Sequence, residues 1–544
     1  MAGFELAPGP LAGAVEARLA RWQREDTAGR LWRRDHTVWF AEDRPELTDR
    51  LGWLDLPEAM VSRLGELEAL AHGVLADGVE RVVLLGMGGS SLAPEVFERV
   101  LGNAPGHPAL EVLDSTHPGT VARLSAAVDP ARTLFVVASK SGGTVETLSF
   151  FRHFWKLLEG RPDRGRHFVA ITDPGSGLER LARERGFRAV VLAPPDVGGR
   201  FSALCPFGLA PAALIGVALP RLLASAREAA VAHRDGAAPG FALGALLGEA
   251  ALAGRDKLIL LTSPGLAAFP AWLEQLIAES LGKEGRGVVP VAGEVLRAPS
   301  WYGEHRVFVR LGLAGEGDDA TERALAALER AGHPVARIEL GDPLELGAEM
   351  FRWELATAMA GSILGVNPFD QPDVQAAKEA AKRAMAGEAG GEAPEAVPVE
   401  DPARVAAALD RWAGTVETGC YVAVQAFLEP SQGTAAALGT LRRALGERLG
   451  VPVTAGWGPR YLHSTGQLHK GGPASGRFLQ LVDRPAADVP IPETSHTFGH
   501  LIAAQAAGDA SALAARGRIL LRLDLGANPG AALGELAERI AGRS

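Results

Sequence analysis

The sequence predicts an α/β protein built from parallel β-sheets covered by helices, with two tandem units of similar style followed by a smaller third unit. Three observations support this prediction. Short apolar strands alternate with helical stretches, the strands are apolar on both faces, and a stretch rich in Gly, Pro and Glu precedes the last unit. The chain has 544 residues, 47% of them hydrophobic, which is enough for several cores.

The first part of the chain divides into an N-terminal segment and a first α/β unit. Residues 1–55 are predicted to form a helical, Trp-rich segment, with a helix over 11–33. The first unit is predicted over 56–235 and opens with a helix over 57–76. Its strands are, in order, "RVVLLG", "LEVLD", "TLFVVAS", "HFVAITD" and "RAVVLAP".

The same alternation returns twice further along the chain. A second unit over 236–386 contains the strands "KLILLTS", "GVVPV", "RVFVRLG" and "VARIELG". A flexible linker is predicted over 387–404, because this stretch is rich in Gly, Pro, Ala and Glu and has no apolar period. A C-terminal α/β unit follows over 405–544, with the strands "YVAVQAFL", "RFLQLVD" and "RILLRLDLG".

Charge and composition exclude several classes of protein. The net charge is −10, which argues against a basic nucleic-acid-binding protein. Two cysteines, Cys205 and Cys420, give neither a disulfide framework nor a Cys-rich zinc site. We find no secretory signal pattern and no apolar run of about 20 residues that could span a membrane. We therefore expect a soluble, cytoplasmic protein with neither a membrane nor a nucleic-acid partner.

The stretch "VVASKSGGTVETL" ends a strand in hydroxyls, a cation and two glycines. The first amides of a helix lack intrahelical partners and favour an anion, and glycines let the backbone approach it. Ser139, Lys140, Ser141 and Thr144 are therefore candidate phosphate-binding residues. The alternative is an ordinary strand-to-helix turn in which Thr144 is the N-cap.

The turn "GMGGSS" follows the strand "RVVLL" and allows two interpretations. It could be a second anion-binding loop, in which Gly89 and Ser90 offer backbone and hydroxyl donors beside the first loop. It could instead be part of a dinucleotide fingerprint with Asp114 as the ribose partner. That fingerprint is incomplete, because its third glycine is replaced by Ser91.

Three further stretches carry candidate catalytic residues. "DVGGRFSALCPFG" places Arg200 after two glycines, although a loop arginine is usually exposed. "LEQLIAESLGKEG" places Glu279 near the end of an apolar helix, where it could be a general base or a solvated partner of Lys283. "NPFDQPDVQAAKEAAK" places Gln371 and Lys378 around a helix start, where the lysine is by default a surface residue.

The C-terminal loop "GPRYLHSTGQLHKGGP" carries two histidines. His463 and His469 are candidate acid–base groups, because an imidazole titrates near neutral pH. Neither has a zinc-type set of partner residues, so no metal site is predicted. His496 and His500 are expected to be structural.

Five of these motifs occur together and in order: "GMGGSSLAP", "SKSGGTVET", "VGGRFS", "ESLGK" and "FDQPDVQAAK". In this combination the chain resembles the glucose-6-phosphate isomerase family, which is built on two tandem doubly wound sugar-isomerase (SIS) domains. The resemblance covers about residues 80–385. "YLHSTGQLHKGGP" resembles the form of this isomerase that is fused to transaldolase, but no stretch here would supply the transaldolase barrel.

The resemblance implies a role for each matching residue. Arg200 would stabilise the enediolate, Glu279 would be the base between C1 and C2, and Lys378 would assist ring opening. The residues implied in substrate binding are Gly89, Ser90, Ser139, Lys140, Ser141, Thr144, Glu146 and Gln371. The ring-opening histidine of the family precedes "FDQ…K", whereas the comparable motif here follows it, so we predict His469 first and His463 second.

The resemblance further implies reversible interconversion of glucose 6-phosphate and fructose 6-phosphate through a cis-enediolate. It implies a homodimer with no metal or redox cofactor, because the reaction needs only acids, bases and an oxyanion donor. Two alternatives stay open. One is an isomerase that also takes mannose 6-phosphate or an aminosugar, and the other is a non-catalytic SIS protein that senses a sugar phosphate.

Overall fold

The structure is a computed structural model that describes residues 3–373 and 393–542. The strands of these ranges are β1 Gly3–Ala7, β2 Arg81–Gly86, β3 Ala109–Leu113, β4 Thr133–Ala138, β5 Phe168–Thr172, β6 Ala189–Leu192, β7 Lys257–Thr262, β8 Val289–Ala292, β9 Arg306–Leu313, β10 Val335–Leu340, β11 Val397–Pro398, β12 Tyr421–Phe427, β13 Val453–Trp457, β14 Gly476–Val482 and β15 Ile519–Asp524. They form three sheets, and helices cover each of them.

The helices of the first two units and of the N-terminal segment are α1 Ala12–Arg24, α2 Thr27–Trp32, α3 Leu56–Ala59, α4 Leu64–Ala76, α5 Leu92–Leu101, α6 Pro118–Ala127, α7 Val145–Leu157, α8 Gly177–Glu184, α9 Pro206–Leu214, α10 Leu219–Ala232, α11 Pro239–Leu252, α12 Phe269–Leu281, α13 Asp319–Arg330 and α14 Leu346–Leu364. The C-terminal helices are α15 Pro402–Ala413, α16 Gln432–Leu449, α17 Gly466–Gly471, α18 Phe498–Ala515 and α19 Pro529–Ala541. The predicted α/β fold is confirmed.

The first sheet has the order β3-β2-β4-β5-β6, and every pair in it is parallel. Its central strands are buried because nearly every residue is apolar, as in "TLFVVA" of β4. The chain reverses its direction of winding between β2 and β4. In such a doubly wound sheet, ligands bind beyond the carboxyl ends of the strands at this reversal.

The second sheet has the order β1-β10-β9-β7-β8. Its predicted strands are parallel, whereas β1 joins the edge antiparallel to β10, with Phe4 opposite Ile338. The sequence analysis missed β1, because the first residues carry no strong strand pattern. The predicted helix over 11–33 is divided into α1 and α2 at Asp26, whose backbone is left-handed with φ of 49°.

The third sheet has the order β11-β15-β14-β12-β13, again with parallel pairs. Part of the linker predicted over 387–404 is ordered, which corrects that prediction. β11 pairs with β15, and α15 begins at Pro402 because Asp401 accepts a hydrogen bond from the Arg404 amide at 3.0 Å. The apolar face of α15, including Trp412, is buried in the C-terminal core.

One apolar core runs through both of the first two units, whereas the C-terminal unit has a core of its own. Aromatic residues join the first two units: Trp53 packs against Phe201 of the first unit and Phe351 of α14. This packing fixes the loops of the first sheet relative to α12 and α14. Among the described helices, none is long and apolar enough to cross a bilayer.

Candidate functional site

A cleft of about 320 Å³ lies beyond the carboxyl ends of β2 and β4, where the first sheet reverses. The second unit contributes α12, and the C-terminal unit contributes a loop that closes one side. Nine of the predicted site residues line this cleft: Gly89, Ser90, Lys140, Ser141, Thr144, Arg200, Glu279, Gln371 and His463.

The turn after β2 can only be built with glycines at two positions. Gly88 has a φ of 54°, and a Cβ there would lie 2.6 Å from the His463 carbonyl oxygen. A Cβ on Gly89 would collide with the carbonyl of Gly199, in the loop that carries Arg200. The two glycines therefore bring three parts of the chain together around the cleft.

The loop after β4 presents hydroxyls and backbone amides at the start of α7. Thr144 occupies the N-cap position of the helix, but its hydroxyl lies 2.9 Å from the Ser139 hydroxyl and caps no amide of the helix. The amides at the start of this 13-residue helix remain available to an anion. Ser139 is buried behind the loop, where it holds Thr144 rather than lining the cleft.

Lys140 is paired with a carboxylate rather than isolated. Its ammonium donates to Asp173 Oδ2 at 2.5 Å and to the Pro195 carbonyl at 3.2 Å. Burial raises the pKa of Asp173, and the neighbouring Lys140 opposes that shift. The pair places a fixed positive group at the edge of the cleft.

Arg200 is almost fully buried, which excludes the exposed-loop alternative. Its Nε donates to the Ser280 hydroxyl at 2.7 Å, and its Nη2 donates to the carbonyls of Pro368 and Asp370. Burial lowers its pKa, and the Glu279 carboxylate is the largest opposing influence. Nη1 lies 3.9 Å from Glu279 Oε2 and makes no hydrogen bond within the described ranges, so it is available to a ligand.

Glu279 is also buried, near the end of α12, and it does not pair with Lys283. Its Oε2 accepts a hydrogen bond from Gln275 Nε2 at 3.0 Å, one helical turn earlier. The same Gln275 nitrogen donates to the His463 carbonyl at 2.9 Å, and Gln275 Oε1 has no hydrogen-bond partner in the described ranges. A buried carboxylate therefore faces a guanidinium across the cleft.

Lys283 holds the segment that enters the cleft with Gln371. Its ammonium donates to Asp370 Oδ1 at 2.6 Å and to the carbonyl of Asn367. Burial lowers the pKa of Lys283 to about 7, and the neighbouring Arg200 lowers it further. Gln371 itself is exposed and lines the cleft. The predicted residue Lys378 lies outside the described residues.

His463 enters the cleft from the C-terminal unit. Its Nε2 lies 2.9 Å from Oε1 of Glu146, and that oxygen also accepts a hydrogen bond from Gln505 Nε2 at 2.7 Å. Glu146 is buried and stands behind the histidine, so it does not line the cleft as the resemblance implied. A carboxylate of the first unit thus orients an imidazole of the third.

His469, our first choice for the ring-opening histidine, is not brought into the cleft. It is 4% exposed, and its ring packs against those of Tyr461 and Phe478. Its Nδ1 lies 3.2 Å from Gln425 Nε2, and burial holds its pKa well below the usual range. It lines a separate cavity instead, because α17 turns this part of the loop away from the cleft.

The other polar residues of this loop support neighbouring segments. Gln467 Nε2 donates to Asp373 Oδ2 at 2.6 Å, and Gln467 Oε1 accepts a hydrogen bond from the Asp373 backbone amide at 2.9 Å. Lys470 pairs with Asp509, a buried carboxylate that also accepts a hydrogen bond from the Tyr461 hydroxyl. The loop therefore ties the C-terminal unit to the segment that follows Gln371.

The structure also decides between the two interpretations of "GMGGSS". Asp114 accepts a hydrogen bond from Arg460 at 2.8 Å and does not line the cleft. It is therefore not placed to bind a ribose beside this turn, and the anion-loop interpretation is retained. No group of three or more His, Cys, Asp or Glu side chains in the described residues is arranged to hold a metal ion.

Sequence reasoning missed several residues that line the cleft. Gln275 could have been found, since it lies four residues before Glu279 on the same helical face. Arg50 and Asp173 come from loops without a recognisable motif, and only the fold brings them to the cleft.

Comparisons with known proteins show which proteins this chain is similar to. A family model described as phosphoglucose isomerase matches residues 65–304. Glucose-6-phosphate isomerases of Rubrobacter xylanophilus and Thermus thermophilus are each 32% identical to this chain. The alignments cover 61% and 63% of this chain, and 88% and 92% of those proteins.

Two solved structures have a fold similar to that of this chain. A hypothetical protein from Thermus thermophilus is 30% identical, with a TM-score of 0.61, over 71% of this chain and 100% of that one. A glucose-6-phosphate isomerase from Chlamydia trachomatis is 19% identical, with a TM-score of 0.58, over 68% of this chain and 86% of that one. At that identity the second likeness concerns the fold alone.

Proposed function

The chain belongs to the phosphoglucose isomerase family, and we propose that it interconverts glucose 6-phosphate and fructose 6-phosphate. One observation carries this proposal beyond family membership. A buried carboxylate, Glu279, lies 3.9 Å from Nη1 of Arg200, which makes no hydrogen bond with a described residue, in a cleft lined by the two candidate anion-binding loops. A base, an oxyanion donor and a phosphate site are what an aldose–ketose isomerase needs.

The phosphate would be bound by the two loops of the first unit. Ser90, Ser141 and Thr144 line the cleft, and the amides at the start of α7, which begins directly after Thr144, would add further donors. Lys140 adds positive charge, although its ion pair with Asp173 reduces that contribution. Such an anchor leaves the sugar carbons to extend towards α12.

The sugar ring would be opened by His463. Its contact with Glu146 fixes the orientation of the imidazole, which would exchange a proton with the ring oxygen and the O1 hydroxyl. We propose this role for His463 in place of His469. In the described ranges the histidine comes from the same chain as the base and the phosphate loops, so one chain could complete the site.

The proton transfer itself would be carried out by Glu279. With glucose 6-phosphate in its open form, the carboxylate removes the C2 proton, and the electron pair forms the C1–C2 double bond while O1 becomes the enediolate oxygen. Arg200 Nη1 stabilises that negative charge. A proton moves from O2 to O1, and Glu279 returns its proton to C1, which gives fructose 6-phosphate. Gln371 and Lys378 are proposed to contact the substrate.

The activity is tested by a coupled assay that follows glucose 6-phosphate formed from fructose 6-phosphate. Turnover that Glu279→Gln abolishes would support the proposal, with the exposed Glu228→Gln as the matched control. Parallel assays with mannose 6-phosphate test the broader isomerase. Tight binding of fructose 6-phosphate without turnover would instead identify a non-catalytic sensor.

Three expectations of the sequence analysis belong to this proposal as well. We propose that the reaction needs neither a metal nor a redox cofactor, and activity that survives EDTA would support this. We also propose that the protein is a cytoplasmic homodimer. Light scattering on the purified protein tests the oligomeric state, and cell fractionation tests the location.

A further inference from the structure

A second cavity, of about 380 Å³, lies between the first unit and the C-terminal unit. Its walls come from α5, the end of β3, α12, the end of β13 and α17. Within the described ranges it shares no lining residue with the cleft. Its volume lies within the range of small-molecule binding sites, which is roughly 300–1,000 Å³.

The charges in this cavity are not balanced. Arg460 donates hydrogen bonds to both Asp114 and Glu95, and Arg99 Nε lies 3.9 Å from Glu95 Oε1, so two guanidiniums face these two carboxylates. A third carboxylate, Glu274 on α12, makes no hydrogen bond or ion pair with any described residue. Burial raises the pKa of Glu274 to about 7, against the more distant influence of Arg442 and Arg460.

The charge of Asp114 is also only partly compensated by the neighbouring arginine. Burial raises the pKa of Asp114 to about 6 even though Arg460 stands beside it. The side chains of Asp114 and Glu274 are both half-buried, and carboxylates withdrawn from water are normally paired with a cation or hold a proton. A cationic ligand beside Glu274 and Asp114 would supply the missing partner, whereas a phosphate ester would add to the negative charge.

An independent observation at another lining residue of the cavity also indicates a ligand. His469 is 4% exposed, and Gln425 Nε2 lies 3.2 Å from its Nδ1. With Nδ1 as the acceptor, the proton of the neutral imidazole is on Nε2. This Nε2 has no hydrogen-bond partner among the described residues, and the ring lines the cavity, so it offers a donor to a ligand oxygen.

The remaining lining suits a polyhydroxylated molecule. Hydroxyls of Thr454 and Ser464 can donate and accept hydrogen bonds, and the half-buried indole of Trp457 offers an apolar face beside them. Aromatic faces also attract cations.

We propose that this cavity binds a small amine-bearing polyol. Its ammonium group would pair with Glu274 and Asp114, and a hydroxyl oxygen would accept the Nε2–H of His469. The site lies on the far side of the segment Arg460–His463, so it is distinct from the cleft that we propose for the sugar phosphate. Its existence does not depend on the isomerase activity.

The proposal can be tested by calorimetry with glucamine, a linear polyol with one terminal amine. Titrations at pH 8 keep the amine protonated and Glu274 ionised. Sorbitol, which has a hydroxyl in place of the amine, is the matched ligand control. We expect sorbitol to bind about ten- to a hundred-fold more weakly, as is typical for loss of a hydrogen bond between charged groups. Equal affinities, or no glucamine binding, would overturn the proposal.

Variants locate the bound molecule. Glu274→Gln should weaken glucamine binding about ten-fold or more. Glu228→Gln makes the same replacement at an exposed carboxylate on α10 and should leave the binding unchanged. Circular dichroism verifies that each variant is folded. As a second measurement, glucamine should slow hydrogen exchange in peptides covering 454–465 in the parent protein. Displacement of glucamine by inorganic phosphate would place it in the cleft and contradict the proposal.

Discussion

His463 and His469 belong to one loop, but their surroundings give them different chemistry. His463 is half-buried, lines the cleft and has a carboxylate partner in Glu146. His469 is enclosed by aromatic rings, and burial keeps it neutral. A histidine can act in acid–base catalysis only where its ring reaches the substrate. A sequence motif therefore identifies candidate residues, whereas burial and hydrogen-bond partners determine which of them can act in catalysis.

The largest effect on turnover is expected at the proposed base, Glu279. Glu279→Gln should lower kcat by about 10²–10⁴-fold, because an amide cannot accept the C2 proton. Substrate binding should persist, since the phosphate loops are unchanged. Single-turnover exchange of the C2 proton with solvent measures the step directly. Exchange within a few-fold of the parent would mean that another residue is the base.

The next effect separates the two histidines. His463→Ala should lower kcat with cyclic fructose 6-phosphate by about 10²-fold, the lower end of the range for a general acid–base group. With 5-deoxyfructose 6-phosphate, which lacks the hydroxyl that closes the ring, the loss should be much smaller. Steady-state kinetics with both substrates give this ratio. If both substrates slow equally, His463 does not act in ring opening.

A smaller effect is expected where a residue binds rather than reacts. Thr144→Ala should weaken the binding of substrate and of phosphate-bearing inhibitors by the same factor. The factor is about ten-fold or more, because one hydrogen bond to a charged group is lost. An inhibitor without a phosphate should bind unchanged. Unlike His463→Ala, this variant should change KM rather than kcat. Weaker binding of both inhibitor types would show that the loop is damaged or does not hold the phosphate.

The smallest effect on turnover is expected at the second histidine. The fold-reduction of kcat in His469→Leu should be at least ten times smaller than in His463→Ala, because the His469 side chain lies outside the cleft. It should instead lower the free energy of unfolding by about 1–3 kcal/mol, since buried Gln425 loses its partner. Chemical denaturation compares the two variants. A loss of turnover equal to that of His463→Ala would remove the distinction between the histidines.

Most of the fold follows from local patterns. The continuous apolar runs predicted the strands of the first two sheets, because parallel strands are buried on both faces. β1, β11 and β13 were missed, since each is a short edge strand whose pairing depends on a partner elsewhere in the chain. The described end of the predicted linker became ordered for a similar reason: the apolar face of α15 finds a core that composition alone does not reveal.

The candidate site was predictable only in part. Motifs identified Ser90, Thr144, Arg200 and Glu279, because their chemistry is concentrated in short stretches at the ends of strands and helices. The choice of histidine failed because it depends on the turn made by α17. No sequence pattern predicts that Glu146 of the first unit contacts His463 in the loop of the C-terminal unit.

The most direct test of the account is the rate at which the enzyme exchanges the α and β anomers of glucose 6-phosphate, measured by exchange NMR. This exchange requires ring opening but no C2 proton transfer, so it can be followed in a Glu279→Gln background. The account predicts that His463→Ala abolishes the acceleration in that background and that His469→Leu keeps it. Loss of the acceleration in His469→Leu together with its retention in His463→Ala would contradict the account.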